Sequence, residues 1–371
     1  MQAFLAEHPN LETPFLLIDP DRVEAAFRRL TRALPGAQCL YSVKANPGRP
    51  ILERLEGLGA GFDAASTHEI ETCLAAGISP HRILYGNTVK KAADIAMAWG
   101  LGVRRFACDS GPELAKIARA APESAVIARL RTAGTGAVWP LSSKFGCDAR
   151  QLAALLVEAH HRGLGPLGIS FHVGSEQSDP HAWLAPIRTI GHLLPEIERA
   201  GATIGLVDLG GGFPADYQGD RPPIEAYGDA IRAACRRYLP ADLGLVMEPG
   251  RHLVAAAGVI QTEIVSIRQP DAGSRYAWVY IDAGVFNGLI ETEAIVHPVM
   301  AMTPETGPRR QCVLAGPTCD NTDILGRGRP YELPAALAPG DRLLIALAGA
   351  YTSTLATVGF NGFPPLRTLY A

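Results

Sequence analysis

Several residues able to do covalent or proton chemistry stand at the ends of apolar runs in this chain. The run CLYSVK delivers Lys44 and is followed at once by Asn46-Pro47-Gly48. GFDAAS delivers Asp63 and Ser66, and SFHVGS delivers His172 and Ser175. VDLGGGFP supplies Asp208 with Gly210, Gly211 and Gly212, and VMEPGR supplies Glu248 and Arg251. If Tyr41 and Val43 face outward onto helices, strand alternation turns Ser42 and Lys44 to the inner face. A lysine enclosed there is pushed toward its neutral amine, which suits it to form an imine with a carbonyl. An exposed lysine in a loop would be only a solvated charge, and both readings stay open at this point. Three successive glycines can close their amides on a phosphate without side-chain obstruction, or simply make a tight turn. Likewise His172 could be a satisfied core histidine, and Glu248 a structural ion pair with Arg251. What argues against chance is that all of these groups fall at the same end of successive runs.

Such residues meet only if their strands lie side by side. From about residue 38 to residue 250, eight strand-like runs alternate with amphipathic stretches such as THEIETCLAA and DARQLAALLVEAHHRG. This alternation predicts a (β/α)8 barrel over residues 20–251, whose active site forms at the C-terminal ends of its strands. A doubly wound open sheet is the alternative. Beyond Arg251 the texture changes to strand-like pieces between Pro/Gly-rich turns: HLVAAAGVIQTEIVSIRQ, YAWVYIDAG, QCVLAGPTCD and DRLLIALAGAY. Residues 252–371 are therefore expected to form a mostly β domain, a sandwich or barrel, joined by residues 1–19 because TPFLLIDPDRV reads as a strand entering a helix. The stretch RTAGTGAVWPLSSKFG, residues 131–146, is expected to be a mobile loop.

Composition narrows the ligand class. The 371 residues carry a formal charge of −3 with 19% charged residues, so no basic field exists to hold nucleic acid or an anionic membrane. Seven scattered cysteines without a CxxC pair argue for a reducing cytosol and against a zinc ribbon, and no metal is expected. Neither a signal sequence nor an apolar run long enough to span a membrane is present, so a cytoplasmic protein with a small-molecule ligand is expected. An imine-forming lysine beside a phosphate cradle suggests pyridoxal 5'-phosphate. That cofactor needs a carboxylate at its pyridine nitrogen, and Glu248 is the natural candidate.

Eight motifs in order, YSVKAN, GFDAAS, LSSKFG, FHVGS, DLGGGFP, EPGR, GPTCD and GAYT with FNGF, span more than 300 residues. On these the chain resembles the pyridoxal-phosphate decarboxylases of the ornithine, lysine and diaminopimelate decarboxylase family, with an alanine-racemase-like barrel and a C-terminal β domain. The resemblance implies that Lys44 carries the cofactor as an internal aldimine, that His172 stacks on its ring and that Glu248 holds the pyridine nitrogen. It implies that Ser175, Gly210, Gly211, Gly212, Arg251 and Tyr351 bind the phosphate, with Asp63 and Arg129 around the cofactor. Glu69 matches an acid of the family's second helix, and Lys144 the lysine after the loop. Cys319 and Asp320 are implied to reach into the active site of a partner subunit in a homodimer, with Cys319 as the proton donor to Cα.

Diaminopimelate decarboxylases of the family carry a Glu-Ser-Gly-Asp stretch after the equivalent cysteine, whereas Cys319 is followed by DNTD, so the resemblance implies the ornithine/lysine side with Asp320 pairing to a distal ammonium. The family's second aspartate for that ammonium has Thr292 at its position, flanked by Glu291 and Glu293. Either a glutamate replaces it, with Thr292 and Tyr351 completing the substrate site, or the substrate is a modified or different amino acid. The expected reaction is L-ornithine to putrescine, or the same step on lysine or a close relative. Racemisation would need a tyrosine where this chain offers a cysteine. A non-catalytic regulatory relative would be expected to have lost one of Lys44, Asp63, His172, Glu248 or Cys319.

Overall fold

The computed structural model describes residues 1–271, 275–302, 307–326 and 329–371. In chain order its strands begin with β1 (Phe15–Ile18), β2 (Ala37–Ser42), β3 (Gly61–Ala64), β4 (Ile83–Tyr85), β5 (Arg105–Cys108) and β6 (Ala125–Leu130). They continue with β7 (Ala137–Trp139), β8 (Leu167–Phe171), β9 (Ser175–Gln177), β10 (Ile204–Asp208) and β11 (Gly244–Met247). The later strands are β12 (Gly258–Arg268), β13 (Ala277–Ile281), β14 (Val299–Ala301), β15 (Arg309–Ala315), β16 (Tyr331–Pro334), β17 (Arg342–Ile345) and β18 (Arg367–Tyr370).

The eight expected runs, β2 to β6 with β8, β10 and β11, form a closed barrel in which every neighbouring pair is parallel. An open sheet is thereby excluded. Leu40, Leu84, Ile127 and Val246 pack as one apolar cluster with Leu206 against it. Side chains from opposite walls touch only through the axis, so this layer fills the interior and leaves the C-terminal mouth for polar groups. The helices outside are amphipathic for an equally simple reason. In Ala149–His161 the buried Leu152, Leu155, Leu156 and Ala159 recur at helical spacing, and Asp148 with Gln151 closes a capping box at its start.

The chain divides into two compact units, residues 24–214 with 221–252, and residues 1–23 with 215–220 and 253–371. The second unit is built on a sheet ordered β14-β17-β12-β13-β15-β16. There β1 lies antiparallel to β12 and parallel to β18, which ties the start of the chain to its end. Strand β12 starts later than the run HLVAAAGVIQ suggested: Arg251–Val254 is a helical turn and Ala255–Ala257 a 3-10 turn. The ladder opens only at Gly258, where a Cβ would collide with the backbone of Gly349. Residues 131–146 are also more ordered in topology than a plain loop, since β7 within them pairs antiparallel with β9.

One buried ion cluster fixes the loop after β4. The Lys90 side chain is fully enclosed, 3.1 Å from Glu113 Oε1, and donates to the carbonyls of Asn87 at 2.7 Å and Ala107 at 2.6 Å. Lys116 holds the other Glu113 oxygen at 2.6 Å. Burial pulls the Lys90 ammonium below its ordinary range against the opposing pull of Glu113. Breaking such a pair costs roughly 3–5 kcal/mol, because a charge is left enclosed, whereas replacing both partners by apolar groups costs far less. Lys90→Met should therefore lower the unfolding midpoint strongly, and Lys90→Met/Glu113→Leu should recover part of the loss; thermal unfolding of the two variants checks this.

Candidate active site

Ser42 ends β2 on the inner face, as alternation requires, and its hydroxyl donates to Asp63 Oδ2 at 3.1 Å. Lys44 does not continue the strand. The chain turns into the 3-10 helix Val43–Ala45, because Asn46 N–H closes on the Val43 carbonyl and Asn46 Oδ1 accepts from Gly48 N–H at 3.1 Å. The expected enclosure of this lysine is corrected accordingly: its side chain is 49% exposed, with Nζ 3.0 Å from Asp63 Oδ2. Asp63 itself is buried, and its other oxygen fills the space where a Cβ on Gly86 would sit. A rigid carboxylate thus holds a reachable amine at the mouth. On the next helix Ser66 caps Glu69 N–H at 3.2 Å, and Glu69 reaches back to Ala65 N–H at 2.6 Å. Burial raises the Glu69 carboxyl.

The glycine turn after β10 is a close approach of three backbones. A Cβ at Gly210 would strike the Phe171 carbonyl, one at Gly211 would lie 2.6 Å from the Glu248 carbonyl oxygen, and one at Gly212 would strike the Gly174 carbonyl. Gly210 and Gly212 also take positive φ, 67° and 101°, which glycine adopts without penalty. His172 lies beside this turn: a Cβ on Gly211 would be 3.3 Å from its Nε2. Its Nδ1 accepts from Gly174 N–H at 3.0 Å, which requires that nitrogen to be unprotonated. Burial, with the positive Arg129 and Lys44, pushes the imidazole down to about 3, so the ring is neutral and presents a flat apolar face. Ser175 opens β9, and Arg251 is buried against the Trp139 ring at 4.9 Å, with its Nε 3.8 Å from Glu176 Oε1. Arg129 lies over Phe145 at 5.7 Å and Lys144 over the same ring at 4.9 Å.

Glu248 faces another carboxyl. Asp208, fully buried, accepts Gly210 N–H on Oδ1 at 2.9 Å, and its carboxyl lies beside the Glu248 side chain. Two carboxylates cannot bond without a proton between them. Burial, then the charges of Asp208 and Asp63, hold Glu248 well above the ordinary carboxylate range. Burial likewise pushes Asp208 up to about 6, opposed by the Gly210 N–H. The pair therefore keeps a proton at the mouth of the barrel.

The remaining expected residues lie in the second unit. Cys319 is exposed, and Asp320 Oδ1 accepts from Thr322 N–H at 2.7 Å and Thr322 Oγ1 at 2.6 Å. Thr292 is buried in the 3-10 turn Ile290–Glu293, its hydroxyl donated to the Leu289 carbonyl at 2.8 Å. A small cavity of about 210 Å³ is lined by Thr292, Glu293, Thr322 and Phe286, while Glu291 is not among its walls. Tyr351 takes a positive φ of 62°. Sequence reasoning placed Asp208 at a strand end but missed its bond to Glu248. It also missed Trp139, Glu176 and Asn361, whose partners are set by tertiary contacts; only FNGF hinted at the last.

The acid pair makes stability depend on pH with a definite sign. A carboxyl raised in the folded state keeps a proton that the unfolded chain releases, so its contribution is complete below the unfolded value near 4 and is lost as pH rises through the folded value. For Asp208 that window runs from about 4 to about 6. Asp208→Asn can still accept from Gly210 N–H and can donate to a Glu248 carboxylate. Without bound cofactor, the unfolding temperature of the parent protein should therefore fall more between about pH 5 and about pH 8 than that of Asp208→Asn.

Comparison with known proteins identifies the family. The family model described as pyridoxal-dependent decarboxylase, pyridoxal binding domain, matches residues 20–255. The chain is 33% identical over 358 residues to a lysine/ornithine decarboxylase of Selenomonas ruminantium, covering 95% of this chain and 88% of that one. It is 32% identical over 372 residues to antizyme inhibitor 2 of Xenopus laevis, covering 96% and 80%. Among solved structures, the arginine decarboxylase of Paramecium bursaria Chlorella virus superposes with a TM-score of 0.91 at 28% identity, over 100% of this chain and 99% of that one. With a family model spanning the barrel and relatives above 30% identity along nearly its whole length, the chain belongs to the pyridoxal-dependent amino acid decarboxylases of the ornithine and lysine decarboxylase type.

Proposed function

We propose that the chain decarboxylates a basic amino acid, L-ornithine to putrescine in the simplest case, as a homodimer in which Cys319 of one subunit serves the Lys44 site of the other. The observation that carries the cofactor assignment is the convergence at one barrel mouth of a reachable amine, a three-glycine turn, a neutral imidazole and a protonated acid pair. These residues fit pyridoxal 5'-phosphate: no side chain could occupy the glycine turn, and its amides with Ser175 and Arg251 would hold the phosphate. Bound there, the cofactor supplies an electron-accepting ring conjugated to the substrate nitrogen, which makes loss of CO2 from Cα feasible.

The residues of the chain do the rest. Asp63, fixed by Ser42, orients the Lys44 amine. Glu248 holds a proton on its carboxyl, with Asp208 as the second acceptor, where a pyridine nitrogen would take it. His172 offers a flat neutral face, and Arg129 adds positive charge. Cys319 Sγ holds the proton for Cα, and Asp320, already oriented by Thr322, faces a distal ammonium. Thr292 spends its hydroxyl on Leu289, so Glu293, which shares the cavity with Thr292 and Thr322, supplies the second negative charge.

Lysine, 2,4-diaminobutyrate, arginine and meso-diaminopimelate are the candidate substrates beside ornithine, and CO2 and amine release from each decides between them. If none is turned over while the cofactor is bound, the basic amino acid reading is wrong. Glu293→Gln should raise KM for the preferred diamino acid about 10- to 100-fold, the size of one charged hydrogen bond, and Glu291→Gln should leave it near parental. Borohydride should bleach a visible band and fix the cofactor on Lys44; Lys44→Ala should lack the band. In Cys319→Ala, CO2 should still be released while the ratio of amine to CO2 falls below one.

A further inference from the structure

Cys319 is the one exposed thiol of the seven cysteines, and Asn361 grips it at two points. Asn361 Oδ1 accepts from Cys319 N–H at 3.1 Å and lies 3.4 Å from Sγ. A backbone N–H only donates, so the atom facing it must be the amide oxygen, and this settles the orientation of the Asn361 side chain. That same oxygen faces the sulfur. The thiol donates its S–H into it.

The grip is built in from both sides. Asn361 takes φ 50°, ψ 20°, the left-handed region that asparagine tolerates better than most residues. Its turn is anchored by Phe360, stacked on Phe286 at 4.2 Å, and by Gly362 N–H on the Gly359 carbonyl at 2.9 Å. On the other side, Asp323, 2% exposed, accepts from Thr318 N–H at 3.1 Å, Thr318 Oγ1 at 2.7 Å and Val285 N–H at 2.7 Å. The residue before the thiol is therefore fixed by a buried carboxylate, and the thiol itself by an amide.

We infer that Asn361 is a positioning residue that fixes the direction of the Cys319 S–H and so selects where Cα of the substrate receives its proton. This rests on the role proposed above for Cys319. In the step served, the S–H bond breaks and a C–H bond forms at Cα with the electron pair left by departing CO2. The sulfur keeps its own pair as thiolate and regains a proton from water.

The test uses the holoenzyme and iodoacetamide near neutral pH, with Cys319→Ala as the blank for the six buried cysteines. Asn361→Gly keeps the left-handed backbone and removes the oxygen. Asn361→Asp keeps the acceptor and adds a negative charge. Alkylation of Cys319 is expected to speed up about 3- to 10-fold in Asn361→Gly and to slow down in Asn361→Asp, the scale of one hydrogen bond. A merely loosened loop would speed it in both variants and would overturn the inference. In turnover, Asn361→Gly should lower the ratio of amine to CO2 with KM little changed. If Cys319→Ala lowers that ratio while Asn361→Gly leaves both ratio and alkylation at parental values, the inference alone fails. If Cys319→Ala leaves the ratio at one, the acid role of the thiol fails and takes the inference with it.

Discussion

The barrel mouth depends on one residue that has no side chain. Gly210 donates its N–H to Asp208 and accepts the Glu248 N–H on its carbonyl at 2.9 Å, while its Cα is pressed against the Phe171 carbonyl. The ends of β8, β10 and β11 are therefore joined at a single backbone unit. The cradle suited to a phosphate and the acid pair suited to a ring nitrogen are one construction. A Cβ at Gly210 would separate β10 from the end of β8 and would also disturb the acid on either side.

Charge at this mouth is arranged by distance and enclosure. Asp63 is buried but spends its charge on Ser42 and Lys44, and so remains a fixed anchor for an amine that solvent can still reach. For Asp208 and Glu248 burial and mutual repulsion outweigh the pull of Arg129 and Lys44, and both carboxyls are held above their ordinary range. Asp63 adds to that pressure on Glu248, and Lys44 offsets part of it. The same carboxylate thus steadies the lysine and helps to keep the glutamate protonated. His172 is excluded from this exchange because its Nδ1 is occupied by Gly174 N–H and burial, with the nearby positive charges, opposes a second proton.

Much of this was legible in the chain because strand ends carry local marks. An apolar run stops, a glycine or proline follows, and the polar residue at the boundary points into the mouth; Asp63, His172, Asp208 and Glu248 were all found so. Lys44 was placed on the strand because alternation ran through it. The 3-10 turn that lifts it out depends on Asn46 bonds and on Ser42 N–H bonding to Pro249, and the latter is a tertiary contact. The Asp208 to Glu248 bond crosses between β10 and the end of β11 and exists only once the barrel closes. Residues 215–220 group with the β unit although they interrupt the barrel sequence, and nothing in their composition marks it. Asn361 and Cys319, 42 residues apart, meet through a left-handed turn that no periodicity announces.

The two units divide the chemistry in a way that explains why one departure from the family pattern leaves the reaction class untouched. The barrel unit contains the amine, the cradle, the imidazole and the acid pair, none of which depends on what lies at position 292. Thr292 sits in a 3-10 turn of the other unit, where its hydroxyl closes on the Leu289 carbonyl and its neighbour Glu293 lines the small cavity. A short, self-satisfied side chain stands there, on the reading proposed, where the family would place a charge. On the reading proposed, the missing charge returns one residue later on a longer arm, which sets the reach to the distal group of the substrate rather than the chemistry at Cα. The length of the preferred amino acid should therefore follow the Glu293 arm, while the capacity to release CO2 follows the barrel.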